Sequence, residues 1–520
     1  MIDFFDYACA NWPNNEFIVF GETKISYAEA QVTTRQIANG LASLGCSKGA
    51  KAAVLSGNDP IAWLTVLSIW RAGMTYVPLN PRDPMAHNAS LLKQFDCDVL
   101  FFQPEIAGEL SKHKAELDHI KHFVSLGKTT DLISDARLLD EFVASQPTSS
   151  ESVAVAMDDV CIITPTGGTT GKPKGVMMTN RNLQMMFANW LQFMPYLPGE
   201  FPVALLAAPI THAAGPLSML STLRGGKVVV MSRVDPIAIL DTIQELGVTE
   251  LFLPPTAIYS LLDTPGVDSR DYSSLKYFIY AAAPMAPEKL RRALATFGPV
   301  MMQGYGQSEA TGAISCLRPE DHLANGEFAS EERLSSCGRV FPLVRVTIRD
   351  EANNELPNGE TGEICVAGDN VMKGYYNDKE RTDEALVDGW LRTGDVGHFD
   401  KDNFLHITDR KKDMIVTGGY NVYSAEIERV INGIAGVFEC AVIGVPDERW
   451  GEAVTAVIQL GGGATLTADA IIAECRDKLG PVKTPKNVEF VERLPRSIVG
   501  KVLKRELRAA YWDGKARNVN

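Results

Sequence analysis

Residues 164–175 read Thr-Pro-Thr-Gly-Gly-Thr-Thr-Gly-Lys-Pro-Lys-Gly, a stretch with four threonines, four glycines, two lysines and two prolines. Glycines let backbone N–H groups approach an anion, threonine hydroxyls donate further hydrogen bonds, lysines supply positive charge, and prolines disfavour helix. Apolar residues at 160–163 and 175–178 predict a strand on each side. The stretch therefore predicts a strand–loop–strand unit that binds phosphate.

This loop differs from the P-loop of many nucleotide-binding proteins, which needs Gly, four residues, Gly-Lys-Ser/Thr and then a helix. The residue five before Gly171 is Thr166, and Lys172 is followed by Pro173. For the tract taken alone, a flexible surface loop without a ligand is the alternative interpretation. Other segments of the chain are needed to decide between the two.

Length and composition predict an ordinary globular protein of two to three domains, with 520 residues, 45% hydrophobic and 22% charged. A net charge of −14 argues against a nucleic-acid partner, so any phosphate site must be a local positive pocket. Nine dispersed cysteines without a C-x-x-C pair predict reduced thiols and no zinc site. Without a basic amino-terminal region or a run of about 18 apolar residues, the expectation is a cytoplasmic protein with no transmembrane segment.

Helical and strand patterns alternate along most of the chain. Five helices are predicted: three begin at Ser26, at Asp59-Pro60 and at Asn180, one is capped by Asp235, and one follows Pro287. The predicted strands lie at 51–55, 75–78, 227–231, 250–253, 276–280 and 300–302. Such alternation predicts an α/β fold with mainly parallel sheets.

The pattern changes near residue 335 to short strands separated by turns, which predicts a β-rich subdomain over about 335–409. The charge run 409–413 then precedes a compact α+β segment. We therefore predict an N-terminal domain over 1–409 and a small C-terminal domain over 410–520.

Three further segments carry functional side chains. Gly304–Glu309 follows an apolar strand, so it places an aromatic ring and a carboxylate where ligands collect in α/β sheets. Residues 390–395 end in Asp395, a carboxylate suited to ribose hydroxyls, and residues 495–501 place Lys501 on a predicted mobile turn.

These segments, in this order and over nearly the whole chain, resemble the AMP-forming acyl-adenylate superfamily of acyl-CoA synthetases, luciferases and peptide-synthetase adenylation domains. The resemblance implies a large N-terminal domain, a small mobile C-terminal domain, and two half-reactions at one site. In the first, a carboxylate attacks the α-phosphate of ATP with Mg²⁺ as cofactor; in the second, a thiol, usually of coenzyme A, displaces AMP.

The resemblance implies an ATP and AMP site formed by Thr166, Gly168, Thr169, Thr170, Lys172, Lys174, Ala282, Tyr305, Asp395 and Arg410. The threonines and lysines would wrap the β- and γ-phosphates, and Tyr305 would stack on adenine, beside the backbone near Ala282. Asp395 would accept from the ribose hydroxyls with Arg410 assisting. Gly167 stands where the family more often has Ser, so one hydroxyl is missing.

Three residues are implied for catalysis. Lys501 would contact the substrate carboxylate and the α-phosphate, and Glu309 would hold Mg²⁺ through an oxygen ligand. His212 lies on the segment that the resemblance implies to bind the acyl group. The alternative for Lys501 is membership of a solvated or coenzyme A-binding basic group with Arg496, Lys504, Arg505 and Arg508.

The implied acyl pocket comprises His212, Ala213, Gly215 and Ala283. Thr211 replaces the aromatic residue usual in the family, and amino-acid-activating relatives have Asp at the position of His212. Small apolar residues without a cation predict an apolar monocarboxylic acid, fatty or aryl, because a second carboxylate would lack a partner.

The implied coenzyme A contacts are Gly418, Gly419 and Tyr420, and the implied hinge is Lys412. Ser424 stands where the family commonly has Pro. The sequence thus predicts an AMP-forming acyl-CoA synthetase and leaves open a homodimer. The alternatives are an enzyme that loads a carrier protein, a lactone-forming or luciferase-like relative, and a catalytically silent nucleotide-binding protein.

Overall fold

The computed structural model describes residues 1–129, 133, 135–149, 153–166, 173–496 and 502–512. Within these residues the strands form two large sheets, a third antiparallel sheet, a fourth sheet near the C-terminus, and a two-stranded ribbon of Leu323–Ala324 and Glu327–Phe328.

The first sheet is mainly parallel. In spatial order its strands are Arg339–Val340, Ser315–Leu317, Met301–Tyr305, Tyr277–Tyr280, Glu250–Leu253, Val203–Leu206, Lys227–Val230, Glu16–Phe20 and Thr23–Ser26. Pairing is parallel from Met301–Tyr305 to Glu16–Phe20 and antiparallel at both ends.

The second sheet has the same character. Its strands are, in order, Gly374–Tyr375, Lys174–Thr179, Val160–Thr166, Thr75–Leu79, Lys51–Leu55, Val99–Phe102, His122–Ser125 and Ala136–Leu138. The first three are antiparallel neighbours and the rest pair in parallel.

The other two sheets are smaller. The third contains Arg345–Arg349, Gly362–Ala367, Trp390–Phe399, Leu386–Val387 and Leu405–Arg410, all antiparallel. The fourth contains Tyr420–Val422, Ile415–Thr417, Gly451–Leu460, Val437–Asp447 and Asn487–Val491. The antiparallel third sheet agrees with the predicted β-rich subdomain.

The α-helices of the N-terminal part are Ile2–Asn11, Tyr27–Ser43, Pro60–Arg71, Met85–Gln94, Ala107–Lys112, Leu139–Ala144, Asn180–Phe193, Ala214–Thr222, Pro236–Leu246, Pro255–Leu262, Pro287–Phe297, Glu331–Leu334 and Lys379–Ala385. Those of the C-terminal part are Ser424–Asn432, Ala468–Lys483 and Lys504–Trp512. Short 3₁₀ turns lie at Pro104–Ile106, Lys114–Leu117, Val267–Ser269, Ser308–Ala310 and Pro319–His322.

Local sequence signals set several of these boundaries. Ser26 caps its helix through a capping box with Glu29. Asp235 caps the helix that has Pro236 in its first turn, and this helix ends at Gly247 in a left-handed conformation. These helices confirm the corresponding sequence predictions.

The helix Pro60–Arg71 belongs to the core that the two large sheets share. Among its side chains, Trp63 packs against Gly215 on the helix Ala214–Thr222, which itself contacts the first sheet at Val203–Leu206 and Lys227–Val230. Trp70 donates to the Cys161 carbonyl of the second sheet at 3.0 Å. Almost every residue of this helix is buried. A helix that is apolar on all sides is stable in such a position because it faces no water.

The parallel order brings distant segments to one edge of the first sheet. Four adjacent strands pair in parallel, so their carboxyl ends share an edge. These strands are, in spatial order, Val203–Leu206, Glu250–Leu253, Tyr277–Tyr280 and Met301–Tyr305. The segments after them include those predicted to bind the acyl group and adenine. Ligands of open α/β sheets bind at this edge.

The C-terminal part begins after the third sheet. Arg410 still pairs in register with Asp395 of that sheet, and the next strand starts at Ile415 in the fourth sheet. Lys412 lies in the short connection between them. The boundary at 409/410 and the hinge at Lys412 stay predictions.

Candidate active site

The predicted phosphate loop is carried by an antiparallel hairpin. Strands Val160–Thr166 and Lys174–Thr179 pair until Thr166 stands opposite Lys174, and the Thr166 hydroxyl donates to the Lys174 carbonyl at 3.4 Å. This confirms the two strands that were predicted on either side of the loop. The predicted loop residues Gly168, Thr169, Thr170 and Lys172 lie outside the described residues, so their contacts with phosphate stay predictions.

Lys174 and Glu309 meet at a residue that the sequence did not single out. The Lys174 ammonium lies 4.6 Å from the centre of the Tyr375 ring, and the Tyr375 hydroxyl donates to Glu309 Oε1 at 2.9 Å. Burial raises the pKa of Tyr375, which keeps the phenol protonated as a donor. No local motif signals this contact, because 66 residues separate Tyr375 from Glu309.

Three predicted nucleotide-binding residues are in mutual contact. The Tyr305 hydroxyl donates to Asp395 Oδ2 at 2.8 Å, and the Arg410 guanidinium lies 3.3 Å from Asp395 Oδ1. Tyr305 ends its strand rather than following it, which corrects the predicted strand boundary at residue 302. The cluster combines an aromatic ring, a carboxylate and a guanidinium, groups suited to a nucleoside. Tyr305 exposes 8% of its surface. Its stacking on adenine stays a prediction.

The segment predicted beside adenine contains a strained residue. Ala282 follows the strand Tyr277–Tyr280 and has φ of 75°, in the left-handed region that an alanine rarely occupies. Strain of this kind persists where the surrounding structure holds it, and it clusters at ligand sites. Ala282 and Ala283 are both half-buried at the shared edge.

The predicted acyl segment is tightly packed on one side. A side chain at Gly215 would lie 2.0 Å from the Ile210 carbonyl oxygen and 2.6 Å from Trp63, so only glycine fits. The Tyr76 hydroxyl donates to the Thr211 carbonyl at 2.8 Å, while Ala213 is exposed.

His212 is uncharged near neutral pH. Its Nδ1 lies 3.1 Å from Thr211 Oγ1, and burial lowers its pKa to about 4. A neutral imidazole supplies no positive charge for a second substrate carboxylate. This property agrees with the predicted preference for a monocarboxylic acid, which stays a prediction.

The residues predicted to contact coenzyme A form a hairpin tip. Gly418 and Gly419, with φ of 58° and 81°, connect Thr417 to its partner Tyr420, as in a two-residue turn that favours glycine. Tyr420 is 62% exposed. The turn is thus accessible to a ligand, and its role in binding coenzyme A stays a prediction.

Ser424, which stands where the family commonly has proline, has a contact that proline could not make. Its backbone N–H donates to Asp409, and its hydroxyl donates to the same carboxylate at 2.9 Å. Proline lacks the N–H. Serine in place of proline at this position therefore joins the end of the third sheet to the C-terminal part.

The basic residues near the C-terminus are held in internal ion pairs. Arg496 contacts Glu439, Lys504 lies 2.7 Å from Glu428, and Arg508 lies 2.6 Å from Asp413. Lys504 also donates to Ser424 Oγ at 2.6 Å. These pairs show that Arg496, Lys504 and Arg508 are not simply solvated, which corrects that alternative. The other alternative, contact of this group with coenzyme A phosphates, stays a prediction.

Lys501, the predicted catalytic lysine, lies outside the described residues. Arg496 and Val502, the described residues nearest to it in sequence, form an antiparallel bridge. The catalytic role of Lys501 therefore stays a prediction.

The chemistry of Glu309 fits the predicted Mg²⁺ ion. In nucleotide sites this cation binds to one or two carboxylates together with phosphates and water. Glu309 is a half-buried carboxylate beside the lysine that is predicted to contact phosphate. Among the described residues, no group of three or more His, Cys, Asp and Glu side chains could hold a metal ion.

None of the helices in the described ranges has the length and the apolar character that crossing a membrane requires.

Comparison with known protein families finds two matching family models. A model of the AMP-binding enzymes matches residues 5–376, and a model of the C-terminal domain of AMP-binding enzymes matches residues 426–501.

Individual relatives cover almost the full length. The medium/long-chain-fatty-acid–CoA ligase FadD8 of Mycobacterium tuberculosis is 34% identical, over 97% of this chain and 89% of the relative. A feruloyl-CoA synthase of an Amycolatopsis species is 36% identical, over 96% of both. Among solved structures, the amide bond synthetase McbA of Marinactinospora thermotolerans superposes with a TM-score of 0.87 and 30% identity, over 98% of this chain and 99% of that one.

Proposed function

Because this chain belongs to the AMP-binding enzyme family, we propose that it is an ATP-dependent, AMP-forming acyl-CoA synthetase. The observation that carries the proposal is the contact of Tyr305, Asp395 and Arg410, which joins an aromatic ring to a paired carboxylate and guanidinium. The similarity to one fatty-acid–CoA ligase and one feruloyl-CoA synthase supports the same reaction class.

In the first half-reaction, a carboxylate oxygen of the acid attacks the α-phosphorus of ATP. The bond to the bridging oxygen breaks, and pyrophosphate leaves with the electron pair. Lys174 and the predicted loop lysine Lys172 offset charge on the β- and γ-phosphates, and Lys501 stabilises the developing charge at the α-phosphate. Mg²⁺, when bound at Glu309, supplies further positive charge to the phosphates.

In the second half-reaction, the sulfur of coenzyme A attacks the acyl carbonyl carbon and loses its proton to water. The bond from this carbon to the phosphate oxygen breaks, and AMP leaves with the electron pair. The Gly418-Gly419 turn and Tyr420 lie on the C-terminal part, as does Lys501, and we propose that this part rotates about Lys412 between the two steps. The exposure of Tyr420 supports its access to the thiol substrate. A rotation of this kind is absorbed by a few backbone dihedral angles.

The acid is proposed to be an apolar monocarboxylic acid, fatty or aryl. A neutral His212 and the small residues Ala213, Gly215 and Ala283 form the predicted pocket. Burying a second carboxylate beside them without a cation would be costly. Of the two relatives, FadD8 is named for fatty acids and the feruloyl-CoA synthase is named for an aryl acid.

The test is product analysis with purified enzyme, ATP, Mg²⁺ and a panel of carboxylic acids, each with coenzyme A, with a carrier protein or with an amine. Mass spectrometry should detect AMP and free acyl-CoA for at least one apolar acid. Product formed only with a carrier protein or an amine would instead identify another acceptor, a relevant alternative because one structural neighbour is an amide bond synthetase.

Two further expectations belong to this proposal. We expect a cytoplasmic enzyme, from its predicted reduced thiols, and the nine cysteines of the chain are free. The second is a possible homodimer, which the sequence leaves open and which sedimentation of the purified protein tests directly. A single species at the monomer mass would contradict it.

A further inference from the structure

We propose that Tyr375 is a positioning residue that fixes the Glu309 carboxylate and the Lys174 ammonium relative to each other, ready for the phosphates of MgATP. The inference rests on the function proposed above. It concerns a residue outside every sequence motif singled out for the nucleotide.

The geometry assigns two contacts to one side chain. The Tyr375 hydroxyl donates to Glu309 Oε1 at 2.9 Å, while its ring centre lies 4.6 Å from Lys174 Nζ. The residue is only 5% exposed, so the ring is held by packing rather than by solvent. The Tyr375 side chain is therefore one rigid group that contacts both Glu309 and Lys174.

The backbone on both sides of Tyr375 is also fixed. Tyr375 pairs with Val176, on the strand that begins at Lys174, and its N–H donates to Thr382 Oγ1 at 2.9 Å. A little earlier, the N–H of Met372 donates to the Glu309 carbonyl at 2.8 Å. The segment thus links the strand after the phosphate loop directly to the backbone of Glu309.

Tyrosine provides both contacts through one side chain. An aromatic face attracts a lysine ammonium, and a phenol hydroxyl donates one hydrogen bond. A carboxylate has two oxygens with about four lone-pair sites, so it can accept this bond and still ligate a cation. Phenylalanine would keep the first contact and lose the second.

The test is ATP binding by isothermal titration calorimetry, without acid or coenzyme A, in excess MgCl₂ and separately in EDTA. For Tyr375→Phe we expect affinity for ATP in MgCl₂ to fall by about tenfold, because Glu309 loses the hydrogen bond that orients its carboxylate toward Mg²⁺. Affinity in EDTA should stay at the wild-type value. A second variant, Tyr375→Leu, should also lose affinity in EDTA, because the ring beside Lys174 is removed.

Tyr376→Phe is the matched control. The Tyr376 hydroxyl also donates to a carboxylate, Asp96 Oδ2 at 2.8 Å, but on a different surface of the second sheet. We expect its MgATP affinity to be that of the wild type. Equal losses in Tyr375→Phe and Tyr376→Phe, or an equal loss for Tyr375→Phe with and without Mg²⁺, would overturn the proposed role.

Failure of the proposed function would look different. If the wild-type enzyme forms no AMP from any acid, the acyl-CoA synthetase proposal fails. The calorimetric comparison is unaffected, since it measures only how ATP binding responds to Mg²⁺ in each variant. An affinity for ATP in MgCl₂ that is the same in Tyr375→Phe and the wild type would overturn the inference alone.

Discussion

The hydroxyl of Tyr305 donates a hydrogen bond to Asp395 Oδ2 across 2.8 Å, although the two residues are 90 positions apart in the chain. The bond orients a carboxylate that also faces Arg410. If Asp395 accepts from the ribose hydroxyls, the phenol holds it in the orientation that binding requires.

Removing this hydroxyl should weaken nucleotide binding while keeping the ring. For Tyr305→Phe we expect the KM for ATP to rise by about tenfold with little change in kcat, because one hydrogen bond to a charged group is lost. Tyr272→Phe is the control, since the Tyr272 hydroxyl donates only to the Val267 carbonyl in another part of the core. A KM that rises equally in both variants would contradict the role of Tyr305.

Glu309→Gln tests the predicted metal ligand. A neutral amide of similar volume supplies less charge to Mg²⁺, so we expect the Mg²⁺ concentration for half-maximal ATP–pyrophosphate exchange to rise about tenfold or more. The melting temperature should change little. The exposed Glu360→Gln serves as the control, and unchanged turnover of Glu309→Gln at limiting Mg²⁺ would remove Glu309 from the site.

Lys501→Ala should affect the two half-reactions unequally. We expect acyl-adenylate formation to fall by about 10²-fold or more, because the lysine stabilises charge in that transition state. Thioester formation from supplied acyl adenylate should stay largely intact. Single-turnover assays measure each step, and an equal loss in both would identify a structural or coenzyme A-binding lysine.

Lys412→Pro tests the hinge. Proline fixes φ near about −65° and restricts the preceding residue, so the variant should favour one arrangement of the C-terminal part. We expect ATP–pyrophosphate exchange to survive and acyl-CoA production to fall about tenfold or more. Lys401→Pro, on an exposed turn of the third sheet, is the control. Wild-type rates for both half-reactions in Lys412→Pro would show that Lys412 is not the hinge.

A buried histidine predicts how stability depends on pH. His322 is fully buried beside the Tyr280 hydroxyl at 3.1 Å, and burial lowers its pKa from 6.5 to about 4. Between these values the unfolded chain binds the additional proton, so the folded state loses stability as pH falls. From pH 7 to pH 5 this amounts to about 2 kcal/mol.

Thermal unfolding at the two pH values measures this effect. The drop in melting temperature between pH 7 and pH 5 should be smaller in His322→Gln than in the wild type, whatever the variant's own stability. His87→Gln replaces an exposed histidine and should keep the wild-type slope. A slope that is unchanged in His322→Gln would exclude His322 as its source.

Much of the local structure could be predicted because its causes lie close together in the sequence. Asp235, Pro236 and Gly247 define the two ends of one helix within a dozen residues. The hairpin around the Thr/Gly loop follows from two apolar runs that flank glycines and prolines. The order of such segments was also enough to predict the family to which the chain belongs.

What only the tertiary structure decided is which distant side chains meet. Tyr375 reaches Glu309 because its strand is an antiparallel neighbour of the strand that begins at Lys174. Ser424 meets Asp409 where the third sheet passes into the C-terminal part.

The physical reason lies in the range of the forces involved. Capping bonds and hydrophobic periodicity act over a few residues and are visible in the sequence, so the sequence by itself determined several of the helices and strands and the chemical types of the site residues. Strand order and register arise from burial of whole faces across the core, which no short pattern encodes. The contacts of Tyr305 with Asp395 and of Tyr375 with Glu309 depend on that order and register, and therefore only the folded chain decides them.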